Sequence, residues 1–268
     1  MIINHNLNAM NSHRNLSFNN IQQGKSSEKL SSGFRINRAA DDAAGLSISE
    51  TMRAQIKGMN QGMRNTQDGI SMVQAAEGAM NEVSDMLTRM KELATQASNG
   101  TYSTDDIAAI QLEYAALGEE INRNATNFSF NGITLLDGSA GNVTIQSAGS
   151  DADAIVLDLS GIDLTALTFG TITDQATGAT ERGVVDAAIT AVNTARSTLG
   201  AYQNRLEHAF NNTSVNAENL QAAESRVRDT DMAAEMMKYT KFNILQQAST
   251  AMLAQANQAP QGVLQLLR

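Results

Sequence analysis

His5 and His13 stand eight residues apart, His208 is isolated, and Asp151, Asp153 and Asp158 gather in one short stretch. Two histidines on a helix hold zinc when they fall one turn apart with a glutamate between them, the HExxH pattern. That pattern is absent, so these histidines read as ordinary surface residues. The three aspartates have the charge to attract calcium, but their spacing lacks the glycine and closing glutamate of a helix-loop-helix site. A solvated acidic hairpin is the better reading. No glycine-rich phosphate loop follows a strand, and no Ser, His, Asp constellation can be argued from the spacing. With no Cys there is no thiolate ligand, disulfide or cysteine nucleophile. The chain is expected to catalyse nothing, with no cofactor and no metal.

The charge balance narrows the partners. A net charge of −9 leaves no basic footprint for nucleic acid or for anionic membranes. No run of about 18 apolar residues is present to cross a bilayer. The absence of Cys makes the chain indifferent to redox compartment, which suits work outside the cell. The first residues do not form a cleavable secretory signal, so export would need a dedicated machine.

The elements that must position any site are helical. Only 4% of residues are aromatic and there is no Trp, which disfavours a thick core packed around large rings. The lone proline, Pro260, leaves nearly the whole chain free of helix breakers. Met52, Met59, Thr66, Val73, Met80, Leu87 and Ala94 recur every seven residues. Ile56, Met63 and Ile70 flank them at first, and beyond Val73 the flank changes side to Ala76, Val83, Met90 and Ala97. A straight 3.6-residue helix drifting against a seven-residue repeat gives that change. A helix of about 55 residues would run roughly 80 Å.

A second seam, Val185, Val192, Leu199, Leu206, Thr213, Leu220 and Val227, supplies a partner, with Ala188, Ala195, Tyr202, Ala209 and Ala223 beside it. A shorter helix lies between, capped by Ser103 or Thr104 and with Ile107, Ile110, Tyr114, Leu117 and Ile121 on one face. The spacing thus predicts a mainly α protein: a long antiparallel helical bundle, or coiled-coil rod, with a small β-hairpin-rich insertion. The insertion spans residues 128–181. It opens with Phe128 and Phe130 and the turn Asn131-Gly132, and it contains no Lys or Arg. Gly58, Gly62, Gly69 and Gly78 each cost about 1 kcal/mol inside a helix. Close helix approach between or within subunits, or tolerance in a strongly driven bundle, are both open readings.

The ends differ from the middle. Ile3, Leu7, Met10, Phe18, Ile21 and Leu30 make a sparse apolar stripe in an Asn-, Ser- and Gln-rich segment, and Phe242, Leu245, Met252 and Ala256 make another. A lone amphipathic helix recovers little of its ordering entropy without a partner surface. Such ends are expected to be loose alone and ordered in an assembly.

The strings Leu30-Ser31-Ser32-Gly33-Phe34-Arg35-Ile36-Asn37-Arg38-Ala39-Ala40-Asp41-Asp42-Ala43-Ala44-Gly45 and Ile244-Leu245-Gln246-Gln247-Ala248, with Leu253-Ala254-Gln255-Ala256-Asn257-Gln258 and the closing Leu266-Leu267-Arg268, resemble the signatures of the bacterial flagellins. The resemblance covers about residues 1–138 and 183–268 and leaves the acidic middle unmatched. It implies a structural subunit that polymerises head-to-tail into the flagellar filament for motility, secreted without a cleaved signal peptide. This looks like a short flagellin lacking most of the variable outer region. The implied organisation is 1–42, inner-tube helix with connecting spoke; 43–127, outer-tube helices; 128–181, β-rich insertion; 182–228, outer-tube helix; and 229–268, inner-tube helix, the two terminal helices pairing in the polymer.

By the same resemblance, Ile3, Leu7, Met10, Phe242, Leu245, Met252, Leu264, Leu266 and Leu267 would carry polymerisation. Arg35, Arg38, Asp41 and Asp42, by themselves either a charged elbow with interchain ion pairs or a solvated linker, look like the family's spoke. Arg89, Leu93, Gln96 and Glu113 match positions through which similar flagellins are recognised by Toll-like receptor 5; a bundle surface that packs subunits is compatible with that role. Implied partners are further copies of the chain, an export chaperone on the C-terminal segment, and filament cap and junction proteins. Two alternatives remain at this level: a hook-filament junction protein, and a soluble helical module acting as adhesin or receptor ligand.

Overall fold

The computed structural model describes residues 5–149 and 153–266, with side chains as far as Gln258. The helices are α1 (Leu7–Ser32), α2 (Ala43–Ala97), α3 (Thr104–Asn127), α4 (Gln175–Arg228) and α5 (Met232–Leu266). Between α3 and α4 lie the strands β1 (Ser129–Phe130), β2 (Ile133–Thr134), β3 (Asn142–Gln146) and β4 (Ala154–Asp158). The fold is mainly α, with two small antiparallel sheets, β1 with β2 and β3 with β4. It divides into a terminal unit, residues 1–54 and 219–268, and a central unit, residues 55–218.

The seven-residue repeat forms the core of the central unit. Thr66, Val73, Met80, Leu87 and Ala94 of α2 are each at most 1% exposed, and Ala76, Val83, Met90 and Ala97 are buried beside them. Opposite them α4 buries Val185, Val192, Leu199 and Leu206, and α3 buries Ile107, Ile110, Tyr114 and Ile121. α3 opens with a capping box. The Ser103 side chain accepts from the Asp106 N–H at 3.3 Å, and Asp106 Oδ2 accepts from the Ser103 N–H at 3.0 Å.

The hairpins complete this core with Leu135, Leu136, Ile155 and Leu157. The β1–β2 turn places Asn131 and Gly132 at φ 50° and 82°, the two positive angles a two-residue hairpin turn needs. The far end of β3 and the loop after it lie against α2, which explains three of its glycines. A Cβ on Gly62 would collide with the Ser147 carbonyl group, one on Gly58 would stand 3.2 Å from Gly149 Cα, and one on Gly69 would stand 3.2 Å from Ile145 Cγ1. The close neighbour is therefore a strand and its loop. Gly78 has open space around it, so tolerance describes that position.

One polar cluster interrupts the apolar packing. The buried Tyr114 hydroxyl donates to Glu181 Oε2 at 2.9 Å, and the same oxygen accepts from the Gly170 N–H at 2.9 Å. Burial, reinforced by the Glu181 carboxylate, pushes the Tyr114 hydroxyl well above its ordinary pKa. The phenol thus remains a donor. Phe169 meets the Tyr114 ring edge-on, with centroids 6.4 Å apart.

Candidate functional site

In the terminal unit α1 and α5 run antiparallel, and both form within one chain, each using the other as its partner. The Asn6 side chain donates to the Ala256 carbonyl at 2.7 Å, Asn19 Nδ2 to Ser249 Oγ at 3.1 Å, and Ser26 Oγ to Glu235 Oε1 at 2.7 Å. The shielded residues follow alternating three- and four-residue steps: Ala9, Ser12, Leu16, Asn19, Gln23, Ser26 and Leu30 on α1. Those of α5 are Glu235, Tyr239, Phe242, Gln246, Ser249, Leu253 and Ala256. That is coiled-coil spacing, with polar and small residues at many seam positions. Cα atoms of the two helices come within 8 Å along this seam, an approach that small side chains permit.

The apolar side chains mostly face the other way. Leu7, Met10, Phe18 and Ile21 are exposed on α1, Leu7 at 69%, and Met232, Met236, Met237, Ile244, Leu245 and Met252 are exposed on α5, Met237 at 70%. At 100° per residue, Leu7, Met10, Phe18 and Ile21 lie about opposite the α1 seam. The single stripe expected on α1 is thus divided, because Leu30 belongs to the seam. Phe242 is half-buried on the seam side. Leu264 and Leu266 fall on the helical backbone of α5 with side chains outside the described part, and Ile3 and Leu267 lie outside the described residues. Met236, Met237, Thr240, Lys241 and Ile244 line an open groove of about 410 Å³ on the outward face of α5.

The charged linker between α1 and α2 has roles within its own chain. Asp42 Oδ1 caps α2 by accepting from the Gly45 N–H at 2.9 Å. Asp41 Oδ2 accepts from the Arg38 and Asn37 N–H groups, at 3.1 and 3.2 Å, which holds its carboxyl below the ordinary aspartate pKa. Arg38 pairs with Glu28 of α1 at 3.0 Å. Arg35 donates its N–H to the Arg228 carbonyl at 2.7 Å, and the Thr230 N–H donates to the Gly33 carbonyl at 2.9 Å. The two interhelical linkers are thereby stitched into a short antiparallel bridge, Phe34 to Asp229. Arg228 lies over the Phe34 ring, 4.8 Å from its centroid, and its Nη1 is 2.6 Å from Glu50 Oε1. That bond with Arg228 lowers the Glu50 pKa.

In the central unit Arg89 bridges two helices. Its Nε donates to Glu113 Oε1 of α3 at 2.8 Å and its Nη1 to Glu92 Oε2 at 3.0 Å. The hydrogen bond from Arg89 holds the Glu113 carboxyl below its ordinary value. Gln96 Nε2 donates to the Tyr102 hydroxyl at 3.3 Å. Leu93, by contrast, is 2% exposed and belongs to the core. An open groove of about 640 Å³ lies on this face, lined by Thr88, Lys91, Glu92, Thr95, Gln96, Asn99 and Tyr102.

A bacterial flagellin N-terminal helical region matches residues 3–141, and a bacterial flagellin C-terminal helical region matches residues 183–267. The chain belongs to the bacterial flagellin family. It is 55% identical to a flagellin of Halalkalibacterium halodurans and 47% identical to a flagellin of Bacillus subtilis, each over 100% of both chains. A crystal structure of Bacillus cereus flagellin aligns with a TM-score of 0.52 and 37% identity, covering 60% of this chain and 94% of that one.

Full-length similarity to flagellins favours the filament over the junction-protein and free-module alternatives. This flagellin is a structural subunit of the flagellar filament, and the family is not an enzyme family. Among the described residues no helix is long and apolar enough to cross a membrane, and no group of three His, Cys, Asp or Glu is placed to hold a metal ion. Sequence reasoning missed the Tyr114–Glu181 and Ser26–Glu235 pairs. Their members stand 67 and 209 residues apart, and no local spacing signals such contacts.

Proposed function

We propose that this flagellin self-associates through the outward faces of α1 and α5, with Leu7, Met10, Phe18 and Ile21 on one helix and Met236, Met237, Ile244, Leu245 and Met252 on the other. The observation that carries this reading is the packing of the pair, with polar residues at half of its seam positions and most of its large apolar side chains outside. Solvated apolar area of that extent favours burial against another surface, and a filament subunit meets further copies of itself. Ile3, Leu264, Leu266 and Leu267 extend the same role to the chain ends. Phe242 serves the pair from within its seam. The terminal helices form the inner tube, residues 43–127 and 182–228 the outer tube, and Arg35, Arg38, Asp41 and Asp42 the spoke that sets subunit register.

Elongation of short filament seeds, followed by electron microscopy, tests the reading. A Phe18→Gln, Ile21→Gln variant of unchanged helicity, and a variant lacking the last 30 residues, should leave seeds unextended. Normal elongation by either would refute the assignment of this surface.

The subunit is exported, escorted by a chaperone on the C-terminal segment and placed by cap and junction proteins. A second reading rests on the exposed Arg89–Glu113 pair beside Gln96: free subunits present this face to Toll-like receptor 5, with Leu93 holding α2 in place from the core side.

A further inference from the structure

We infer that the exposed methionines of the terminal helices form an oxidant-sensitive surface, and that their conversion to sulfoxides by a peroxide switches the subunit from assembly-competent to assembly-incompetent. The inference rests on the self-association surface proposed above, with a second copy of this chain as the occupant that covers it.

The distribution of thioethers carries it. Met10, Met232, Met236, Met237 and Met252 are the strongly exposed methionines among the described residues, between 47% and 70% accessible, and all five stand on α1 or α5. Met72, Met80 and Met90, in the core of the central unit, are at most 4% exposed. Met10 and Met252 each lie four residues inward of the Asn6–Ala256 hydrogen bond on antiparallel helices, hence at one level of the pair. Met236 and Met237 line the apolar groove on α5. The most exposed sulfurs therefore stand where the surface is to be buried by another copy and the fully shielded ones where the fold is held together, with Met52, Met59, Met63 and Met86 half-buried between these extremes.

The reaction needs hydrogen peroxide alone. A sulfur lone pair attacks one peroxide oxygen, the S–O bond forms as the O–O bond breaks, and the departing hydroxide takes the proton carried by the oxygen now on sulfur and leaves as water. Sulfur is oxidised and peroxide reduced. A flexible apolar side chain becomes a polar, chiral one, and its new oxygen must lose water wherever a second copy would cover it. The intrachain seam contains none of the five, so α1 and α5 keep their partner while the outward face loses its apolar character.

The test uses the full chain, hydrogen peroxide and filament seeds. Peptide mapping should find sulfoxide at the five terminal sites well before Met72, Met80 or Met90, and assembled filaments should be protected at those five. Seed elongation by the oxidised subunit should fall at least ~10-fold and recover after treatment with reductases for both sulfoxide epimers. A variant carrying Met10→Leu, Met232→Leu, Met236→Leu, Met237→Leu and Met252→Leu should show no further loss of elongation on peroxide treatment, read against its own untreated sample; should it not fold or not elongate, the reductase result decides alone. Unchanged elongation with all five sites oxidised, loss that the reductases do not reverse, or equal sensitivity of the leucine variant would overturn the inference. Failure of the untreated protein to extend seeds would instead overturn the self-association reading.

Discussion

Ser26 of α1 donates a hydrogen bond to Glu235 of α5 at 2.7 Å inside a seam where both side chains are buried, while Ile21 and Met236, five residues before the serine and next to the glutamate, face solvent. A buried carboxylate is tolerated when its charge is paired and its lone pairs are occupied, and Lys238 completes that requirement at 2.9 Å. The terminal pair thus uses buried polar residues for register and leaves most of its large apolar ones outward.

Acid should loosen this pair. Burial by itself raises the Glu235 pKa, but hydrogen bonds from Lys238 and Ser26 outweigh it and hold the carboxyl below the ordinary glutamate value. A depressed native pKa gives stability that is present above the unfolded value, about 4.3, and is lost as pH falls through the native one. Hydrogen-exchange protection in residues 22–30 and 232–239, corrected for the intrinsic pH dependence of amide exchange, should be steady from pH 7 to 5 and fall below about pH 4. Glu235→Gln should flatten that acid response; an unchanged profile would show that Glu235 is not the group responsible.

The helix glycines separate into two kinds that thermal unfolding can distinguish. Gly62→Ala adds a Cβ against the Ser147 backbone, which cannot give way as a side-chain tip would, and should cost about 1 to 2 kcal/mol despite better helix propensity. Gly78→Ala meets open space and should gain roughly 0.5 to 1 kcal/mol. Equal effects at the two sites would contradict the close packing of the β3 end on α2.

Tyr114→Phe removes one of two donors to Glu181 Oε2 and leaves the Gly170 N–H in place. Loss of a buried, charge-assisted hydrogen bond should cost about 1.5 to 3 kcal/mol. Denaturant unfolding measures it. Glu181→Gln in the same background should add less than it does alone, since the two changes share one contact.

Arg89→Ala with Glu113→Ala breaks an exposed pair of half-accessible side chains, so stability should hardly change. Receptor signalling by the free subunit should nevertheless drop. Normal signalling would refute the proposed recognition face at these residues. Leu93→Ala, a buried position, should instead lower the melting temperature along with any signal.

Asp42→Lys removes the α2 cap and reverses its charge at a helix N-terminus, which should cost about 1 to 2 kcal/mol through the Gly45 N–H. Filament length and helical form, viewed by electron microscopy, report whether the linker also sets register. A filament indistinguishable from the parent would confine Asp42 to capping.

The helices, the buried rows of α2, α3 and α4, the turn at Asn131-Gly132 and the flagellin signatures follow from the order and spacing of the residues. Periodicity, caps and turn residues act over a few positions, so local spacing suffices to place Val73, Met80, Leu199 and their neighbours. Tertiary structure alone decided which face each terminal helix buries, because a sparse stripe such as Leu7, Met10, Phe18, Ile21 and Leu30 has no preferred side until a partner is present. Asn19 with Ser249 and Ser26 with Glu235 hydrogen-bond across the seam, and Leu7, Met10, Phe18 and Ile21 are left on the outward face. Close backbone approach decided the glycines in the same way, since Gly62 and Gly78 look alike in sequence and differ only in what lies across from them.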